Sequence, residues 1–182
     1  MTAPRRAPAG TERIAGGDAA SGFRSGVHAL DDYFRRHAFP NDAAGIGRAY
    51  VIRKAQRDDP ALPVVLRYYT LSMALVAAAD VEGALGRRLP KYPMPVALIG
   101  RLAVDERARG RRLGEALLVD ALRRASEAAE LLGCVGVLVD AKDEAAERFY
   151  VKYGFASVEQ TAWPRRMFLP LATVRGAFGH SV

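Results

Sequence analysis

Two long apolar runs, VALIGRLAVD (residues 96–105) and CVGVLVD (134–140), flank a segment rich in alanine and leucine. Strands that are apolar on both faces need cover on both sides, the pattern of central strands in a parallel sheet. Between the runs, Leu113, Leu117, Ala121 and Ala125 recur every fourth residue, with Leu118, Leu122 and Ala129 beside them, so the spacing predicts a helix. Gly133 is placed to cap its C-terminus. Strand, helix and strand at this spacing make a βαβ unit whose strands run parallel. An all-helical or all-β fold has no place for such a unit, so the fold class is α/β.

The rest of the chain supplies further strands and helices around that centre. Residues 1–22 are rich in Ala, Gly and Pro and read as a flexible N-terminal arm with a short strand near residues 12–14. Residues 23–182 read as one domain. In VHALDDYFRRHAF (27–39), Leu30, Phe34 and Ala38 repeat at i, i+4 and i+8, which predicts a helix ended by Pro40. AYVIRK (49–54) and VVLRYYTLSMAL (64–75) flank a turn with two prolines and read as a strand pair. Residues 79–95 read as irregular, with a helical turn at their start. A short helix in EAAERFYVKYGF (144–155) is stopped by Gly154, and FASVEQ and RMFLPL read as closing strands. The sum is a mixed sheet, antiparallel in its first half and parallel and splayed at its centre, flanked by helices.

Composition removes several classes of function. No apolar run is long enough to span a bilayer, and the basic N-terminus lacks the apolar stretch of a secretory signal. A single cysteine, Cys134, forms no intrachain disulfide and suits a reducing cytoplasm; with three scattered histidines, no metal site is expected. Lys and Arg number 27 against 20 Asp and Glu, a formal charge of +7. The arginines come in doublets, among them Arg35–Arg36, Arg87–Arg88, Arg123–Arg124 and Arg165–Arg166. Charge alone leaves two readings open, a polyanionic partner and solvated basic faces.

Two stretches carry chemistry. RGRRLG (109–114) lies between a buried strand and a helix, where main-chain N–H groups without helical partners and the helix dipole favour a phosphate. Gly110 and Gly114 permit close approach of the backbone, and Arg109, Arg111 and Arg112 add donors. Neither the dinucleotide G-x-G-x-x-G nor the G-K-[ST] of a phosphate loop is present, so alone this is equally a basic structural turn. In DEAAERFYVKYGF (143–155), Ala146, Phe149, Tyr150 and Tyr153 share a helix face. Tyr150 or Tyr153 has the hydroxyl of a proton donor, and either also suits a buried amphipathic face.

Taken together the two motifs resemble those of the GNAT superfamily of N-acetyltransferases. The family's acetyl-CoA loop, [RQ]-x-x-G-x-[GA], falls on Arg109, Gly110, Arg111, Arg112, Leu113 and Gly114, with Arg112 where a glycine is usual. Its second signature, N-x-x-A-x-x-[LF]-Y-x-x-x-G-F, falls on residues 143–155, with Asp143 in place of Asn. Further stretches from about residue 23 to 174, among them LDDYFRRHAFPND and KYPMPVALIGRLAVD, are similar to the GNAT toxins of bacterial toxin–antitoxin operons. Arg67 stands where that group commonly has glycine.

The resemblance implies a GNAT fold and an acetyl-CoA-dependent acetyltransferase that acylates the α-amine of aminoacyl-tRNA and blocks translation. It implies that the backbone of Leu102, Ala103 and Val104 pairs with the pantetheine arm, that the 109–114 loop seats the pyrophosphate, and that Asp143 and Phe149 belong to the cofactor site. Tyr150 then protonates the leaving thiolate. A ribbon-helix-helix antitoxin and a homodimer are the partners implied. Arg35, Arg36, Arg87, Arg88, Arg165 and Arg166 become candidate phosphate contacts. No residue stands out as a general base, which suits an α-amine acceptor titrating near 7.7–8.0 better than a lysine. Two alternatives stay open: an acetyltransferase for a small-molecule or protein amine, and a non-catalytic acetyl-CoA-binding regulator. For Arg112, bearing a Cβ, the expectation is a helical, negative φ with its side chain away from the pyrophosphate or towards the adenosine phosphates.

Overall fold

The computed structural model describes residues 10–110, 112–158 and 162–179. Seven strands form one sheet: β1 (Glu12–Arg13), β2 (Arg48–Arg53), β3 (Val65–Val76), β4 (Met94–Val104), β5 (Gly136–Ala141), β6 (Ala156–Ser157) and β7 (Arg165–Pro170), in the order β1-β2-β3-β4-β5-β7-β6. Helices α1 (His28–Tyr33), α2 (Phe39–Ala43), α3 (Ala78–Leu85), α4 (Leu113–Ala128), α5 (Glu144–Lys152) and α6 (Leu171–Ala177) complete it. The predicted βαβ unit is present as β4, α4 and β5. Its strands are parallel, with Ala97, Leu98 and Ile99 beside Val137, Leu138 and Val139. β1 with β2, β5 with β7, and β6 with β7 are antiparallel.

The chain divides into two compact units, and β3, β4 and α4 each run from one into the other. The first unit holds residues up to Thr70 and Arg101–Asp120. Its core joins Ile14, Phe23, Phe34, Ala38, Ala49, Val51, Val65, Tyr68 and Ala103. Three rings interlock there: Phe23, Phe34 and Tyr68 lie 4.8–5.3 Å apart between centroids. The buried Tyr68 hydroxyl donates to the Leu30 carbonyl at 2.8 Å, as a buried phenol requires.

The stretch read as a loose arm is anchored from Thr11 onward. β1 pairs with β2, Ile14 is buried, and Asp18 takes the guanidinium of Arg53. The Thr11 and Tyr69 hydroxyls both donate to one carboxylate oxygen of Asp120, at 2.5 and 2.6 Å. An Ala- and Gly-rich composition concealed these anchors because they rest on single polar side chains.

Pro40 does not end the first helix. The chain widens into a π-helical turn at Phe34–Ala38 and continues as α-helix from Phe39, so the helix carries Pro40 without ending there. Asp42 on α2 is buried and accepts from the Arg13 guanidinium and from the Ala49 N–H at 2.8 Å. Burial raises the Asp42 pKa, and these bonds outweigh it, so the net shift is downward.

The second unit holds Leu71–Gly100 and the chain from Ala121. Val76, Val81, Met94, Val96, Leu138 and Phe168 form its core. Residues 78–85 make more than the one helical turn expected, closed by Gly86 at φ 62°. Gly136 admits no side chain, because a Cβ there would sit 2.3 Å from the Phe168 ring. α4 ends at Ala128, five residues short of Gly133, and α6 follows β7 where only a strand was expected.

Candidate functional site

The first unit carries the loop and the strand end that precede α4. β4 runs past its ladder with β5 to Leu102, Ala103 and Val104, and a 3₁₀ turn, Glu106–Ala108, leads into Arg109 and Gly110. Asp105 fixes this turn. It is completely buried and accepts from the N–H of Arg24 at 2.8 Å and of Arg107 at 3.0 Å. The Arg107 guanidinium closes on it with two bonds of 2.9 Å. Burial pushes the Asp105 carboxyl up, but these donors together hold it below its ordinary value. The Glu106 N–H bonds the Arg24 carbonyl at 2.9 Å and the Arg109 guanidinium caps the Ser25 carbonyl. Arg109 therefore serves the loop as a strut, and residues 24–26 brace the turn from across it.

Gly110 has φ 97° and open space around the position of a Cβ, so the backbone is accessible there. Arg111 lies outside the described residues. Arg112 corrects the expectation made for it: its φ is +52°, in the left-handed region, and its side chain is exposed. The conformation belongs to the turn and not to the residue, so arginine is held in the backbone geometry that glycine adopts freely. Leu113 and Gly114 then open α4, whose first N–H groups have no partner within the helix. An electropositive helix end, an accessible glycine and a left-handed residue make a main-chain seat suited to a pyrophosphate.

A test of the strain follows. Arg112→Gly is expected to raise stability by about 1 kcal/mol, the left-handed cost less glycine's extra freedom in the unfolded chain. Arg112→Val is expected to lower it, since a β-branched residue tolerates this region least. Urea midpoints measure both, and a fall for the glycine variant would mean that the arginine side chain itself holds the turn.

The second unit carries Asp143, Phe149 and Tyr150 on α5. Asp143 is the N-cap and accepts from the Ala146 N–H at 2.9 Å, with Lys142 beside it at 3.1 Å. Those donors lower its pKa. Asp caps a helix as well as the Asn it replaces. Phe149 is half-buried against the rings of Tyr150 and Tyr153 at 5.3 and 5.1 Å. Tyr150 is the buried one of the two tyrosines, and its ring meets Phe155 at 5.5 Å. Burial, with a smaller push from the Asp140 carboxylate, moves its hydroxyl up to about 12. At neutral pH this phenol holds its proton and can supply it as an acid.

Several residues beside the site escaped the sequence reading. Asp140 and Arg166 sit opposite each other on β5 and β7 and are bonded at 3.1 Å. Arg101 stacks on Tyr33, 3.5 Å from the ring centroid, and ties the end of β4 to α1. Asp105 had one visible signal, an Asp just before a polar turn; its partners had none. Arg67 is buried, and burial lowers its pKa.

The arginine doublets also separate. Arg35 and Arg36 share Asp32, Arg123 pairs with Glu127, Arg165 with Glu147, and Arg166 with Asp140. Arg87 and Arg88 are exposed and have no acidic partner among the described residues.

Residues 72–157 match the acetyltransferase (GNAT) domain family. Over 143 residues, 79% of this chain and 81% of the relative, the sequence is 39% identical to a tRNA-acetylating toxin of Mycobacterium tuberculosis. The structure of AtaT complexed with acetyl-methionyl-tRNAfMet is similar with a TM-score of 0.77 at 26% identity, covering 93% of this chain and 98% of that one. AtaTR bound with AcCoA gives a TM-score of 0.74 at 27% identity, covering 93% and 97%.

Proposed function

From the premise that this chain belongs to the GNAT acetyltransferases, related over most of its length to a tRNA-acetylating toxin, we propose that it acetylates the α-amine of aminoacyl-tRNA and acts as the toxin of a toxin–antitoxin pair. The observation that carries the enzymatic reading is the conformation of Arg112: the one loop residue that departs from the family pattern keeps the glycine's backbone and leaves the main-chain seat in place.

Acetyl-CoA, when bound, supplies an acetyl group activated as a thioester. The N–H groups at the start of α4, with Gly110 and Arg112, would hold its pyrophosphate, and the backbone of Leu102, Ala103 and Val104 would take the pantetheine arm as a further strand. Asp143 and Phe149 shape α5 around Tyr150. Tyr150 keeps a proton on Oη and would give it to the departing sulfur as the C–S bond breaks, and the proton released from the acylated nitrogen then restores the phenol. An α-amine adjacent to an ester is substantially neutral at physiological pH, so it attacks without a strong base from the protein. Tyr150, at the position of the family's catalytic tyrosine, argues against a regulator without turnover.

Arg87 and Arg88 are the leading candidates for phosphate contacts, because their charge is not spent on a neighbouring carboxylate. A ribbon-helix-helix antitoxin and a homodimeric assembly complete the proposal. The deciding experiment incubates the protein with acetyl-CoA and a set of charged tRNAs, then weighs the aminoacyl groups by mass spectrometry. An added acetyl group on one or more is expected; none on any of them overturns the assignment.

A further inference from the structure

Trp163 is the chain's sole tryptophan, and 41% of its surface is exposed. A single exposed ring would need no comment by itself. This one is backed by a guanidinium: the Arg165 carbon lies 4.3 Å from the ring centroid. Arg165 is clamped in turn by the Glu147 carboxylate, at 3.0 and 3.4 Å. Glu147 also takes the Ser157 hydroxyl at 3.2 Å and lies one helical turn before Tyr150 on α5. The indole is thus mounted, through a fixed arginine, on the helix that carries the catalytic tyrosine. The adjacent Arg166 is fixed to Asp140, whose charge acts on Tyr150.

Flat π surfaces backed by guanidinium planes are how proteins take unpaired nucleobases, with stacking that tolerates any base. We propose that Trp163, supported by Arg165, is a stacking platform for an unpaired nucleobase at the single-stranded 3′ end of the acceptor tRNA. The proposal rests on the aminoacyl-tRNA reading above. It adds a positioning residue: a base stacked on Trp163 would fix the aminoacyl ester relative to α5. A second unpaired base belongs to the adenosine of acetyl-CoA, so the test has to tell the two sources apart.

Because the indole is unique in the chain, its fluorescence reports on that site alone. The full-length protein is titrated with an uncharged RNA minihelix ending in single-stranded ACCA, with the same duplex made blunt, and with acetyl-CoA. Quenching by the ACCA-ended RNA only is expected. Quenching by acetyl-CoA, equal quenching by the blunt duplex, or no quenching by the ACCA-ended RNA overturns the proposal.

Kinetics give an independent arm. Trp163→Ala is expected to raise the KM for charged tRNA about tenfold while the KM for acetyl-CoA stays unchanged, and Trp163→Phe, which keeps a flat ring, to recover most of that loss. Circular dichroism confirms that both variants fold. An unchanged KM for tRNA in Trp163→Ala removes the platform but leaves the tRNA assignment intact. A wild-type protein that acetylates no charged tRNA removes the assignment, and the fluorescence titrations then still decide whether Trp163 stacks a base.

Discussion

Tyr150→Phe is expected to lower kcat by roughly 10²–10³-fold, within the range of a lost general acid, with acetyl-CoA affinity unchanged. The substitution keeps the ring that packs on Phe149 and Phe155 and deletes only the hydroxyl. A fall in kcat without a change in affinity marks an interaction made in the transition state, whereas a rise in KM alone would mark a packing role. The pH dependence is a second check. Burial and Asp140 move the phenol from 10.0 to about 12, so its protonated form persists across the physiological range and declines only as pH approaches 12. A decline in kcat centred near 10 that disappears in Tyr150→Phe would show an ordinary, solvated phenol and would refute the burial argument. Any decline well below 10 belongs to a different group.

Asp105→Ala is expected to cost roughly 3 kcal/mol, because it removes the acceptor of the Arg24 and Arg107 N–H groups and leaves the Arg107 guanidinium only the Gly22 carbonyl. The carboxylate is fully buried, and it joins the N–H of Arg24 to the turn at residues 105–108. The sign of its pH effect follows from its depressed pKa. Its contribution is complete above the ordinary carboxyl value of 3.8 and is lost as pH falls through the lower folded value. Thermal melts of wild type between pH 7 and 2 should steepen at the acid end, and those of the variant should run flatter there. Weaker acetyl-CoA binding should accompany the loss, since Arg109 and Gly110 follow directly on this turn. Equal melting temperatures at pH 7 would mean that water replaces the carboxylate, and the bracing role would fall.

The centre of the fold was legible because burial leaves a plain mark. Strands covered on both faces must be apolar throughout, and α4 between them must repeat every fourth residue. The two signature motifs were legible for a related reason, since each fixes particular residue types at a fixed spacing, and they fall where expected, before α4 and along α5. What could not be read depends on partners far along the chain. Asp105 and Arg24 are 81 residues apart. Arg112 misled for the opposite reason: a Cβ argues locally for negative φ, while the turn, set between a braced 3₁₀ segment and a helix, imposes the left-handed value. The boundary at Pro40 failed because a proline after a helical repeat argues locally for an ending, while the widened turn at Phe34–Ala38 carries the helix past it. α6 offered little pattern in LATVRGA, and the proline before it suggested an ending where a new helix begins.

The widened turn at Phe34–Ala38 also sets a rotational phase. A π-helical turn holds one residue more than an α-helical one, so it works as a single-residue insertion that turns everything after it by about 100° around the axis. That rotation brings Asp42 round to Arg13 and the Ala49 N–H. Deleting one residue from the turn would leave the composition of the helix almost untouched and set Pro40 inside a plain α-helical turn, which its ring disfavours. It would also swing Asp42 away from both donors and release the edge strand that carries Arg13. Helix length in this segment is therefore counted to the residue, and a single-codon deletion there would be felt at the far edge of the sheet.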